Sequence, residues 1–214
     1  MTAIIPAAGK GTRFLPATRV IPKEMLPIGA KPAIHCIVEE AIAAGADDIV
    51  VIISEEKEII RRYFEGDPEL ASRIRFVYQK EQKGTGHATA CGLRALEDIG
   101  YSGPVIVSMG DKIVNPETVR RILDGAGNAN AICTCGVQKR EEHPNGGHVM
   151  VESGKALGIV EFADVKRALA DGSTISLCGR EFSAKEVSET PWVNTALYRF
   201  DAKALAEALK TCGS

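Results

Sequence analysis

Three stretches of this sequence carry side chains and backbone suited to phosphate chemistry. Residues 6–27, PAAGKGTRFLPATRVIPKEMLP, offer the backbone amides of Ala8 to Thr12 and two spaced cations, Arg13 and Lys23. Amides and cations together suit a triphosphate, whose charge is spread over a length that one helix terminus cannot cover. The competing reading is a glycine turn followed by solvated basic residues. The second stretch, QKEQKGTGHA, begins at Gln79. An amide at Gln79 and a hydroxyl at Thr85 can read the donor and acceptor edge of a pyrimidine, while the amides of Gly84 to Gly86 let a flat base lie against the backbone. A polar turn capping a helix at Gly86 explains the same residues. The third, SMGDKIV, places Asp111 directly after an apolar run. A carboxylate there is either a hard oxygen ligand for Mg²⁺ or a turn residue.

Two commoner phosphate loops do not fit. Gly9 and Gly11 in GKGTRF match the first half of a dinucleotide fingerprint, but Phe14 stands where the third small residue belongs, and no strand-end acid follows about twenty residues on. Pro16, Pro22 and Pro27 also forbid the long helix that such a turn enters. A Walker loop fails because no Gly-Lys-Ser/Thr follows the glycines. A dehydrogenase is therefore a distant reading.

The elements that must position these loops alternate. Apolar runs at residues 2–6, 48–54, 74–79, 104–110 and 130–137 read as buried strands. Between them, residues 33–44, 56–65, 86–99 and 116–124 carry apolar side chains at helical spacing, the first opened by Pro32 and closed by Gly45. This order predicts an α/β fold, a Rossmann-like three-layer α/β/α arrangement on a mainly parallel sheet. Ligands then bind outside the strands' carboxyl ends, which sets all three loops on one rim. After about residue 138 the rhythm changes to short strands at residues 148–152, 157–161 and 193–200, with a last helix over residues 202–210. These predict a small antiparallel extension of one domain covering residues 1–214.

Composition narrows the partners. A chain of 214 residues, 45% hydrophobic and 25% charged, buries a full core without disulfides or a structural metal. A net charge of −2 leaves no basic surplus for a nucleic acid partner. No run approaches the roughly 18 apolar residues of a membrane span, and no leader pattern opens the chain, so the expectation is a cytoplasmic protein with reduced cysteines. Cys133 and Cys135 share a strand face in an apolar segment, which reads as core packing rather than a metal site.

PAAGKGTRFLP resembles the signature loop of sugar-1-phosphate nucleotidyltransferases, and IPKEMLPIGAKPAIHCIVEEAIAAGADDIVVI resembles that of UTP:glucose-1-phosphate uridylyltransferases. EQKGTGHA, LGIVEFAD and WVNTALYRFD are more similar to the uridylyltransferase domain of the N-acetylglucosamine-1-phosphate enzyme. The resemblance implies the nucleotide-diphospho-sugar transferase fold and a Mg²⁺-dependent transfer between UTP and one of these sugar-1-phosphates. It implies that Ala7, Ala8, Gly9, Gly11 and Thr12 hold the nucleotide through the signature loop, and that Gln79, Gly84 and Thr85 read uracil. Arg13 and Lys23 then act on the phosphates, Asp111 ligates Mg²⁺, and Gly147, Glu161 and Asn194 bind the sugar. The partners are UTP and the sugar-1-phosphate, with neither nucleic acid nor membrane, and self-association into a homo-oligomer is left open.

The pattern also departs from the family. Lys112 follows the metal aspartate, VNTA replaces the commoner VNTG, residues 162–192 lengthen the segment between GIVE and VNT, and no second metal ligand follows Asp201. The chain then reads as the N-terminal part of a longer one, or as a non-catalytic sugar-nucleotide-binding module of the same fold. A thymidylyltransferase is a further alternative. The expected chemistry is direct attack on the α-phosphorus without a protein nucleophile, which leaves His87 a structural role at a helix start.

Overall fold

The computed structural model describes residues 1–112, 114–124 and 131–211, except the side chains of Arg13 and Pro116. The chain divides into two compact units, Met1–Thr134 with Leu197 onward, and Cys135–Ala196. Among the described residues no helix is long and apolar enough to cross a membrane.

In the first unit, β1 (Thr2–Pro6) is followed by a short hairpin of β2 (Pro27–Ile28) and β3 (Lys31–Pro32), then α1 (Ala33–Ala43) and β4 (Asp48–Ile53). Next come α2 (Glu58–Glu65), α3 (Pro68–Ala71), β5 (Ile74–Tyr78), α4 (Gly84–Glu97), β6 (Val105–Ser108) and α5 (Pro116–Leu123). The strands lie in the order β5-β4-β1-β6, all parallel, with Leu197–Phe200 antiparallel to β6.

Side chains alternate between two buried faces. Ala3, Ile5, Ile49, Val51, Ile53 and Ile106 pack with α1, α2 and α5, whereas Ile4, Val50, Ile52, Val105 and Val107 pack with α4 and with Ala202 and Leu205 near the chain's end. Burial of both faces explains why the strands read as unbroken apolar runs, and it is the layered, mainly parallel arrangement expected. In α4, Gly92 sits against the sheet so closely that a Cβ there would lie 2.9 Å from Ile4 Cγ2.

The segment after residue 138 is more than a strand extension. β7 (Cys133–Lys139) starts within the expected strand, whose position 130 lies outside the described residues. Cys133 is exposed and Cys135 half-buried, so the strand carries them but the first does not enter the core. β8 (His148–Glu152) and β9 (Lys155–Val160) form a hairpin, followed by α6 (Phe162–Asp171), a second hairpin of β10 (Thr174–Leu177) and β11 (Arg180–Ser183), and α7 (Ala184–Glu189). Both hairpins turn through consecutive left-handed residues, Ser153-Gly154 with φ 49° and 75°, and Cys178-Gly179 with φ 50° and 73°. That is the two-residue turn whose twist matches the flanking strands. Val160, Val165, Phe182 and Val187 give this second unit a core of its own. β12 (Trp192–Phe200) and α8 (Ala202–Thr211) complete the fold.

Candidate active site

Because β1, β4, β5 and β6 run parallel, the loops after Pro6, Ile53, Tyr78 and Ser108 leave the sheet on one rim. The signature loop is anchored at its start: the Ala7 amide donates to the Ile52 carbonyl at 2.8 Å, and the Ala7 carbonyl accepts from Lys57 Nζ at 2.7 Å. Gly11 takes a left-handed φ of 65°, and Thr18 Oγ1 donates to its carbonyl at 2.9 Å. The prolines do break any long helix. The loop advances instead in three 3₁₀ turns, Thr12–Phe14, Ala17–Arg19 and Lys23–Met25. Opposite it, the Gly110 amide donates to the Pro6 carbonyl at 3.1 Å, and a Cβ on Gly110 would stand 3.1 Å from that of Ala7. This approach sets Lys23 Nζ 2.6 Å from Asp111 Oδ2. The expected phosphate-binding lysine and the expected metal ligand therefore form an ion pair with each other.

Gln79 is buried at the end of β5. Its Nε2 donates to the Gly84 carbonyl at 3.1 Å and lies 3.0 Å from His87 Nδ1. A carbonyl cannot donate, so the contact with Gly84 fixes the nitrogen's side of the amide, and His87 Nδ1 must accept. From its place in the first turns of α4, His87 thereby helps fix the orientation of the Gln79 amide. The helix begins at Gly84, two positions before the expected Gly86, which places Gly84 and Thr85 in its first turn.

These loops enclose a cleft of about 440 Å³. Ala8, Gly9 and Thr12 line it from the signature loop, Lys23 from the third turn, and Gln79, Gly84 and Thr85 from the far side. Ala7 and Gly11 do not line it, and Asp111 meets it only through Lys23. The Arg13 side chain lies outside the described residues. Lys10 and Gln82 also line the cleft. Lys10 was legible as a lysine between the two loop glycines.

The larger omission from the sequence reading is Lys57. It is 7% exposed, and besides Ala7 it pairs with Glu24, 1% exposed, at 2.6 Å. Burial pushes the Glu24 carboxyl up and the Lys57 ammonium down, while each one's charge opposes the other's shift. Lys112 is likewise pushed down by burial, against the pull of Asp111.

In the second unit the three expected sugar residues come together. The Asn194 amide donates to the Gly147 carbonyl at 2.8 Å, and a Cβ on Gly147 would stand 3.6 Å from Glu161 Oε1. Glu161 is exposed at the start of α6 and makes no capping bond there. Asn194 Oδ1 accepts from the amide of Ala196, whose φ is 57°. That left-handed value gives a physical reason for glycine being common at this position. Next to this group His148 is buried, its imidazole 6.2 Å from the Phe162 ring and nearly parallel to it, and burial lowers its pKa.

Among the described residues, no three His, Cys, Asp or Glu side chains gather as a metal cage. Asp111 is a single exposed carboxylate. That donor set fits Mg²⁺ held by one carboxylate together with substrate phosphates and water, the usual mode at nucleotide sites.

The chain belongs to the nucleotidyl transferase family, whose model matches residues 2–213. It is 41% identical over 145 residues to a UTP–glucose-1-phosphate uridylyltransferase of Bacillus subtilis (strain 168), an alignment covering 57% of this chain and 48% of the relative. The chain thus spans about half the length of the curated relatives it matches. Its fold is that of a putative glucose-1-phosphate thymidylyltransferase from Bacillus anthracis, with TM-score 0.75 and 19% identity over 100% of this chain and 76% of that one. A UDP-glucose pyrophosphorylase complexed with UDP-glucose is similar at TM-score 0.70 and 22% identity, covering 98% of this chain and 79% of that one. Both are sugar-nucleotide enzymes by name, as the signature motifs led one to expect of the family.

Proposed function

We propose that this chain carries the UTP:glucose-1-phosphate uridylyltransferase reaction. What supports this most is the convergence in one cleft of the signature-loop amides, Lys23 and the Gln79–Gly84–Thr85 wall. A phosphate oxygen of the sugar-1-phosphate attacks the α-phosphorus of UTP, the bond to the β-phosphate oxygen breaks, and pyrophosphate leaves with that electron pair. The nucleophile is already an anion, so no general base is needed. Two anions must meet, and cations lower that cost. Lys23 exchanges Asp111 for the α-phosphate as its charge grows, and Arg13 takes the leaving pyrophosphate. Mg²⁺ at Asp111 supplies charge neutralisation and orientation of phosphoryl oxygens. Gly147, Glu161 and Asn194 bind the sugar.

The committed Nε2 of Gln79 gives the base preference its direction. With both donors engaged, the side chain offers a ligand only its oxygen. An acceptor there suits the N3–H of uracil or thymine and opposes the bare N3 of cytosine. The test is pyrophosphate release with UTP, CTP and thymidine triphosphate, each against glucose-1-phosphate and N-acetylglucosamine-1-phosphate. UTP with glucose-1-phosphate is expected to be fastest. Preference for thymidine triphosphate or for the acetylated sugar overturns the corresponding half of the assignment. Binding of UTP without any release points to the non-catalytic module.

A further inference from the structure

Lys57 stands outside every signature motif, yet at its ammonium group the loop after β4 meets both the start and the last turn of the signature loop. It belongs to the turn after β4, where its own amide donates to the Ser54 carbonyl at 2.9 Å. Its Nζ reaches the signature loop at the Ala7 carbonyl, 2.7 Å away, and the lysine-bearing turn at Glu24 Oε2, 2.6 Å away. Glu24 directly follows Lys23 in that turn. A buried ion pair is a poor source of stability, since apolar residues of similar volume do as well or better. Stability alone therefore does not account for two charges hidden behind Lys23.

We propose that Lys57 is a positioning residue for Lys23, holding the signature loop to the turn and neutralising Glu24 so that this carboxylate cannot capture Lys23. With Lys57 in place, Lys23 has Asp111 as its partner and points to the rim. Without it, an uncompensated carboxylate lies one residue away, and the amine needed at the α-phosphate folds back toward it. This rests on the uridylyltransferase reading for its catalytic consequence, although the clamp itself does not.

The experiment compares Lys57→Met, Lys57→Met with Glu24→Gln, Lys23→Ala, and Lys57→Met with Lys23→Ala. For each, kcat and UTP Kd are measured, together with amide hydrogen exchange across residues 8–11. Lys57→Met is expected to lower kcat about tenfold or more through misplacement of a charged group, with UTP Kd within about twofold. Adding Glu24→Gln should restore most of that kcat, and Lys57→Met should cost nothing further once Lys23 is alanine. Loop amides should exchange faster in Lys57→Met while those of α4 do not change. A folded Lys57→Met at full rate, an equal loss in the Lys23→Ala background, or no rescue by Glu24→Gln would overturn the proposal. If Lys57→Met alone does not fold, the double replacement decides: a folded double variant with a tenfold loss sinks the charge-capture role. If the unmutated chain releases no pyrophosphate, the functional reading fails, and the clamp is judged by exchange alone, where unchanged loop amides refute it.

Discussion

The two units build their candidate sites from different materials. In the first, the decisive groups are charges that the protein itself pairs, Lys23 with Asp111 at the rim and Lys57 with Glu24 beneath it. In the second, the site is shaped mainly by backbone: a glycine where an added Cβ would press on Ile159, an asparagine bonded through its main chain, and an alanine held at a φ of 57°. The difference follows from the ligands proposed. A triphosphate must be met by charge, which needs holding in place, whereas a neutral sugar ring must be met by shape and hydrogen bonds.

If that division is right, its strongest signature is Lys23→Ala, for which steady-state kinetics should show kcat lowered by about a hundredfold or more, on the order of 3 kcal/mol, with little change in UTP affinity. A near-normal rate would break the comparison at its charged end. At the other end, Gly147→Ala brings a methyl group to 3.3 Å from Ile159 Cγ2. KM for the sugar-1-phosphate should rise about tenfold while UTP Kd, read by calorimetry, stays put. A smaller effect is expected from Asp111→Asn. The amide oxygen is a weaker ligand for a hard cation, so the Mg²⁺ needed for half-maximal rate should climb several-fold, and an unchanged titration would remove Asp111 from the metal site. Smallest of all is Ala196→Gly. Relief of the left-handed strain, less the entropy of the added glycine, should stabilise the protein by about 0.5–1 kcal/mol in chemical denaturation. A loss of stability there would show that the methyl group packs usefully.

Legibility in the sequence tracked how local each signal was. The four parallel strands of the first unit were readable within a residue or two, because burial on both faces leaves an unbroken apolar run bounded by polar residues; the exposed hairpin of β2 and β3 carries no such run and was not. Gly147, Glu161 and Asn194 could be placed only by resemblance, since nothing in their spacing brings them together; the strand pairing does. Residues 162–192 were left without elements, although their signals were present. Ser183 and Glu186 form a capping box at the start of α7, and Gly172 closes α6 in a left-handed conformation. Lys57 could not be found this way, because its partner lies 33 residues earlier in another loop. A lysine among glutamates in SEEKE reads as a solvated surface residue until the fold buries it.

Gly92 lies two turns into α4 and touches no proposed ligand site, yet any heavier residue there would collide with Ile4 at the sheet's centre. The helix would have to ride outward, and its first residue, Gly84, lies about 12 Å along the same axis at the wall of the cleft. Breadth at the mouth is thus inherited from a missing methyl group in the core. In a library of single substitutions, that position should be as intolerant as the rim itself, with variants that fold but grip the base loosely.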